Sequence, residues 1–463
     1  MADVNATGKR APRAGSGRAP WVGLGIAVVL LITAFTLPNL LDWEVYARKF
    51  PERNGTAEPL HGFWDPQWFG PGTIPALLIA LLALRYAAPL AARLRWPALL
   101  ITAYLTSLAW MVALAFIDGA DGVAHVLASE YEYYEEAAYI DDVPAMLEEF
   151  IARIPYAHPD NWNVHVAGHP PGALLFFVVL FRLGLEDPLW AGLVTAAVGA
   201  SSILAVLITL RLLGAESSAR VAAPFLALSP SLIFVCVSGD GMFSFFASWG
   251  LPSLAPAAVA SSRRRMIGFG ALAGLLLGWC VMLSYGLPLL GFLAIAVLIA
   301  ARGSWWPMPI AALVALGVVL AFAAFGYAWW DAYPVLVERY WEGAADIRPF
   351  SYWVWGNLAA LLISAGPMLA SGVALLLADL RHPRSARVAQ HRVVLLLAGA
   401  AVLIIVAADL SRMSKSEVER IWLPFIPWLT LSLVLLPPKW RTPALAVQVA
   451  TALIVETLLY TTW

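Results

Sequence analysis

The chain has 463 residues, 61% of them hydrophobic and 13% charged, with a net charge of −1. Apolar runs approach or exceed the ~20 residues that a helix needs to cross ~30 Å of hydrocarbon, which excludes an ordinary soluble domain and predicts a polytopic membrane protein. The near-zero charge averages over two unlike membrane faces, nothing in it points to nucleic acid, and Cys236 and Cys280 lie in apolar runs as small core residues rather than as a disulfide or metal pair.

The runs lack the strict alternation of barrel strands, so the spans are helical and the fold class is all-α. Residues 1–19 hold Lys9, Arg10, Arg13 and Arg18 among Gly, Ala, Pro and Ser, the composition of a short disordered cytoplasmic tail. The run 20–41 is too long for a signal-peptide core and shows no evident cleavage site. Spans are expected near 20–41, 72–91, 97–117, 189–210, 221–238, 242–260, 267–284, 286–301, 307–328, 354–378, 393–409, 421–437 and 442–461, about thirteen in all. With the tail inside, 19 of the 29 basic residues fall on cytoplasmic loops and span ends, as the positive-inside rule demands.

The apolar segment 174–185 is short and is interrupted by Arg182. Counting it as a span would turn the Arg263–Arg265 cluster and the basic loop 381–392 outward, so 171–187 is expected as a juxtamembrane or re-entrant helix on the outer face. The outer face then carries loops 42–71, 118–188, 239–241, 329–353 and 410–420, with a tight turn near 285. The organisation is a tail (1–19), two extra spans with loop 42–71 (20–96), a module with the long acidic loop (97–437) and a last transmembrane helix (438–463). There is no internal repeat, Gly-rich phosphate loop or zinc-type spacing.

Loop 118–188 carries the chemistry. From Asp118 to Pro170 it holds eleven carboxylates against one basic residue, Arg153, with four histidines. Asp118 and Asp121 stand where a span leaves the membrane, either as candidate bases or as a helix end closed by a Gly-containing turn. The run 129–142, with Glu132, mixes carboxylates and tyrosines, a combination that suits a sugar cleft and equally a solvated amphipathic helix. His165 and His169 would share a helix face, but Gly168 and Pro170 predict a turn, which weakens a metal pair. Pro170-Pro171 sets the entry of the next helix and turns His169 to a cavity. Asp240 lies between Gly239 and Gly241 in an expected tight turn. Arg420, near Lys415, stands at the mouth of a span, suited to bidentate phosphate binding or to snorkelling towards headgroups. Loop 329–353, with Tyr340, reads as an amphipathic lid or an interfacial anchor.

Four features in this order resemble the GT-C superfamily of polytopic glycosyltransferases. They are Asp118 and Asp121 followed by Glu132, Tyr133, Glu135, Glu136 and Tyr139; then Gly168-His-Pro-Pro-Gly172, similar to the family's Lys/His-Pro-Pro-Leu; then Ala219-Arg-Val-Ala-Ala-Pro-Phe-Leu-Ala-Leu-Ser-Pro230 leading to Asp240; and last Glu419-Arg-Ile-Trp-Leu-Pro-Phe-Ile-Pro427. The segment His165-Val-Ala-Gly-His-Pro-Pro-Gly172 is also similar to one in actinobacterial membrane proteins. Gly172 departs from the usual Leu, and no clean Asp-Glu pair follows the span. The resemblance implies transfer of a sugar, with inversion, from a polyprenyl-phosphate donor to a cell-envelope glycan, lipid or protein on the extracytoplasmic face of the plasma membrane. The base would be Asp118, Asp121 or Glu132; Arg420 and Lys415 would meet the phosphate; His165, His169, Asp240 and Tyr340 would bind substrate. No cofactor is required, although the surplus carboxylates are compatible with Mg2+ or Mn2+. A transporter or flippase would instead need mid-membrane breaks, for which Gly366-Pro367 and Ser284–Pro288 are candidates, and a non-catalytic scaffold would keep the fold alone.

Overall fold

A computed structural model of the protein describes residues 17–48, 55–236 and 238–461. Most of the expected tail therefore lies outside the described residues. Eight helices among the described residues are long and apolar enough to cross a membrane, from Ala19–Leu40 to the segment Val418–Leu435. A ninth span arises if Phe350–Ser364 and Met368–Leu380, bent by 112°, count as one.

The other four expected spans take a different form, for local reasons. Segment 221–238 breaks into Glu216–Ala227 and Leu232–Val235 around Ser229-Pro230, and 242–260 breaks into Asp240–Trp249 and Leu254–Ala258 around Gly250 and Pro252. Both breaks place proline where a helix would need a backbone donor. The helix after the turn near 285, Leu290–Ala301, is short, and the last helix, Pro438–Leu458, carries Lys439, Arg441, Gln448 and Glu456 along its length. The fold also departs from pure helix at one point. Strand Gly62–Trp64 pairs antiparallel with Leu459–Thr461, joining loop 42–71 to the end of the last helix.

Small residues set the tightest helix contacts. Gly270, Gly274 and Gly278 recur every four residues on Arg263–Leu283, and that face lies against Pro307–Ala324. A Cβ at Gly274 would come within 2.4 Å of Ala311 O, and one at Gly278 within 2.7 Å of Ala315 Cα. Close backbone approach of this kind drives helix association where lipid removes the hydrophobic driving force.

The bend at 364–368 is built in the same way. Gly366 has φ +93°, and a Cβ there would strike the Gln448 side chain. Gln448 Nε2 donates to Ala365 O at 2.8 Å, which satisfies a carbonyl that the broken helix leaves open.

Loop 118–188 is a chain of short helices: Asp121–Ala124, Tyr133–Ala138, Val143–Glu149, Val164–Gly168 and Gly172–Arg182. Asp142 and Asn163 are the N-caps of the third and fourth, accepting from Ala145 N and Val166 N. His169 is extended (φ −132°, ψ 153°), as a residue before proline must be, and the next helix starts directly after Pro171. That helix has 11 residues, about 16 Å of rise, too short to cross a bilayer. Its first residue explains the missing Leu. A Cβ at Gly172 would lie 2.4 Å from Met282 O, so this helix docks backbone to backbone on the end of Arg263–Leu283.

Candidate functional site

Five of the loops expected on one face meet around a single cavity of about 460 Å³. Loop 118–188 supplies His165 and His169, 239–241 supplies Asp240, the turn near 285 supplies Tyr285, 329–353 supplies Arg339, Tyr340 and Arg348, and 410–420 supplies Glu417 and Arg420. The sixth loop, 42–71, braces the wall from behind. Arg348 donates to Tyr46 O and Ala47 O, and the His61 N–H donates to Glu419 Oε1 at 2.7 Å.

Arg420 is the centre of the inner wall. Its Nε donates to Asp240 Oδ2 at 2.5 Å and its Nη2 to Glu132 Oε1 at 2.8 Å. All three side chains are buried. Ser238 Oγ also donates to Asp240 Oδ2, at 3.1 Å. Two carboxylates on one guanidinium are a stable arrangement only because the planar fork can serve both at once. Arg420 thus ties two acids together where it borders the cavity.

Asn163 couples this network to the histidines. Its side-chain amide donates to Glu132 O at 2.7 Å while its Oδ1 caps the helix that begins at Val164. The segment 164–168 is therefore one turn of helix rather than the expected loose turn, and it brings His165 Nδ1 to 3.1 Å from Glu132 Oε1. His169 folds back over the same turn. Tyr133 Oη and His165 O lie 2.8 and 2.9 Å from its Nδ1, and its ring stacks on Phe243 at 5.0 Å. A carbonyl can only accept, so Nδ1 of His169 carries the proton.

Electrostatics follow from this packing. Burial opposes ionisation of Glu132, but Arg420 and His165 override it and hold the carboxyl at about 2. Burial pulls His169 down to about 4, so it is neutral at ordinary pH. Tyr133, buried beside Glu132, is pushed well above the usual phenol range.

Gly239 and Gly241 serve close approach, not the expected turn. Asp240 opens helix Asp240–Trp249, Gly239 has an ordinary φ of −53°, and a Cβ there would reach within 2.9 Å of Tyr133. At Gly241 a Cβ would lie 2.7 Å from Val235 O.

A second network lines the far part of the wall. Arg348 donates to Glu417 Oε1 at 2.7 Å and to Lys415 O at 2.6 Å. Burial disfavours the Glu417 carboxylate, yet Arg348 and His61 hold it at about 2. Ser416 and Glu417 both adopt positive φ, 69° and 62°, a strained backbone for residues other than glycine. Asn357 Oδ1, accepting from Ser416 N at 3.0 Å, helps to fix it.

Of the residues singled out in the sequence, His165, His169, Asp240, Tyr340 and Arg420 border the cavity, and Glu132 stands directly behind it. Asp118 and Asp121 are not part of the wall. Lys415 is buried under it. Its ammonium donates to Ala345 O and Arg348 O and sits 4.5 Å over the Trp341 ring, and burial, then the Arg412 charge, lowers its pKa. It braces the lid rather than facing a ligand. Arg339, Arg348 and Glu417 were not singled out. The only local sign of them was charge in loops otherwise readable as interfacial.

No three His, Cys, Asp or Glu side chains are arranged to hold a metal ion among the described residues. Glu132 and Asp240 both bond to Arg420.

No protein-family model and no curated protein matches the chain. Among solved structures it is similar to the oligosaccharyltransferase of Archaeoglobus fulgidus. The apo form is 12% identical with a TM-score of 0.48, over 79% of this chain and 56% of that one. The complex with Zn and sulfate is 14% identical with a TM-score of 0.42, over 78% and 52%. The complex with an inhibitory peptide and a dolichol-phosphate is 13% identical with a TM-score of 0.35, over 75% and 55%. The chain thus spans little more than half the length of these proteins, and likeness at this level leaves function to be argued from the site itself.

Proposed function

We propose that the protein is a membrane glycosyltransferase that moves a sugar from a polyprenyl-phosphate donor to an acceptor hydroxyl of the cell envelope, on the extracytoplasmic side. The observation that carries the reading is the convergence of His165, His169, Asp240 and Arg420, from three separate segments, on one cavity under the helix Trp329–Glu342. A volume of about 460 Å³ falls in the range of small-molecule sites. The positive-inside bias supports an outward position for all of these loops.

In this reaction the acceptor oxygen attacks the anomeric carbon, the bond from that carbon to the phosphate oxygen breaks, and the phosphate leaves with the electron pair. Attack opposite the leaving group inverts the centre. The hydroxyl proton passes to the ionisable cluster on the inner wall. Asp240 is held by Arg420 and Ser238 through Oδ2, and neither bond uses Oδ1, which suits it to orient a sugar or acceptor hydroxyl. Arg348 and Arg339 border the cavity with their donors spent on protein oxygens, so they offer an anionic leaving group positive field and not direct hydrogen bonds.

A transport reading would draw on the bend between Phe350–Ser364 and Met368–Leu380. Gln448 fills that break, and its residues do not line the cavity; the other candidate break, at 284–288, does border it through Ser284, Tyr285, Gly286 and Leu287.

The test is turnover of radiolabelled polyprenyl-phosphate glucose, mannose, galactose and arabinose by the purified protein in lipid, with membrane-extracted acceptors. Transfer or donor hydrolysis by the wild type, reduced about 10²-fold or more in Asp240→Asn, is expected. Absence of turnover together with donor-dependent flux across vesicles would replace the enzyme with a transporter.

A further inference from the structure

Glu132 has the charge of a base but not the access. It is 1% exposed, does not line the cavity, accepts from Arg420 Nη2 through Oε1, and has that same oxygen 3.1 Å from His165 Nδ1. His165 has the access, since it borders the cavity beside Asp240 and His169. The Glu132 carboxylate, 3.1 Å from Nδ1, favours the tautomer with the proton on that nitrogen. In that tautomer Nε2 is the basic atom of the ring.

We propose that Glu132 and His165 form a carboxylate–imidazole dyad in which His165 Nε2 takes the proton from the acceptor hydroxyl. The inference rests on the glycosyl-transfer reading and names its proton acceptor. As the acceptor O–H bond breaks and the new bond to the anomeric carbon forms, the proton moves to Nε2. The resulting imidazolium is stabilised by the buried carboxylate 3.1 Å from its other nitrogen. The electron pair of the broken sugar–phosphate bond leaves with the phosphate, and the proton later returns to that released phosphate.

Three features favour this pair over its neighbours. Arg420 bonds to Glu132 and keeps it anionic, so a negative partner is in place before the imidazolium forms. Asn163 fixes the distance, because one side chain holds the Glu132 backbone and caps the helix that carries His165. His169 has the same tautomer, but its Nδ1 faces a carbonyl and a phenol, so no carboxylate bonded to that ring would balance a charge on it. His165 is thus a catalytic residue and Glu132 a positioning residue.

The experiment is the pH dependence of kcat/KM for the wild-type protein in lipid, with the four donors above, compared with His165→Asn, His165→Gly and Glu132→Gln. In the wild type, kcat/KM is expected to fall on acidification. His165→Asn is expected to lose about 10²–10⁴-fold in kcat and to lose that acid limb, with KM for the donor nearly unchanged. Added imidazole should restore part of the activity to His165→Gly. Glu132→Gln, which removes the charge that favours the imidazolium, should shift the limb to lower pH. The His165 variants leave the Arg420 network intact, so they report even if Glu132→Gln misfolds. An unchanged acid limb in His165→Asn, with the wild type active, overturns the dyad and leaves the transfer reading standing. No turnover of any of the four donors by the wild type overturns the transfer reading and the dyad with it.

Discussion

Two of the three buried arginines that border the cavity are satisfied in opposite ways. Arg420, 6% exposed, is bonded to the carboxylates of Asp240 and Glu132. Arg339, 5% exposed, donates only to neutral oxygens, those of Ile154, Asn161 and Trp162, and lies 4.0 Å over the Tyr156 ring. The first joins loops by charge. The second fastens the helix Trp329–Glu342 onto the acidic loop by hydrogen bonds to neutral groups and a cation–π contact. Charge compensation makes the first arrangement strong and brittle, because each partner is costly without the others.

The largest break in that comparison is Arg420→Met. It leaves two buried carboxylates without their cation, so a loss of about 3–5 kcal/mol is expected, visible as a large drop in Tm in detergent and as lost activity. Arg420→Lys should rescue only partly, because an ammonium cannot reproduce the fork that serves both acids.

A smaller effect is expected for Arg339→Met, since its removal strands neutral acceptors. About 1–3 kcal/mol is expected, with KM rising more than kcat falls because the lid and not the inner wall is loosened. An equal or larger Tm loss than in Arg420→Met would show that charge compensation is not what distinguishes the two.

A pH-dependent effect separates charge from packing on the inner wall. His169 has a folded pKa of about 4 against an ordinary 6.5, so the unfolded chain takes up its proton first on acidification. The stability contributed by neutral His169 is complete above about pH 6.5 and is lost progressively as pH falls towards 4. In thermal melts at a series of pH values, His169→Gln should flatten that part of the curve. An identical slope in wild type and variant would assign it to other groups.

The sequence singled out His165, His169, Asp240, Tyr340 and Arg420 on the cavity wall, but not the partners that these side chains take. Lys415 and Arg420 looked alike as cations at a span mouth, yet Lys415 is spent on two carbonyls of the lid and Arg420 on two acids. Asp118 carried a strong positional signal and still falls outside the wall, whereas Glu132 on the same loop is the acid that bonds Arg420. Gly172 looked like a departure from a motif, and the backbone of Met282 shows why it must be glycine.

By itself the sequence determined the helical, membrane-spanning class, the short helix after Pro171 and the set of loops that share one face. Hydropathy, proline and basic charge act locally or by simple parity, so they can be read along a single chain. Only the tertiary structure decided which acid meets which base. Arg420 finds Asp240 across 180 residues and Glu132 across 288, and no local pattern encodes a pairing at that distance. It is fixed by the close glycine contacts and the capped helices that bring those loops to one cavity.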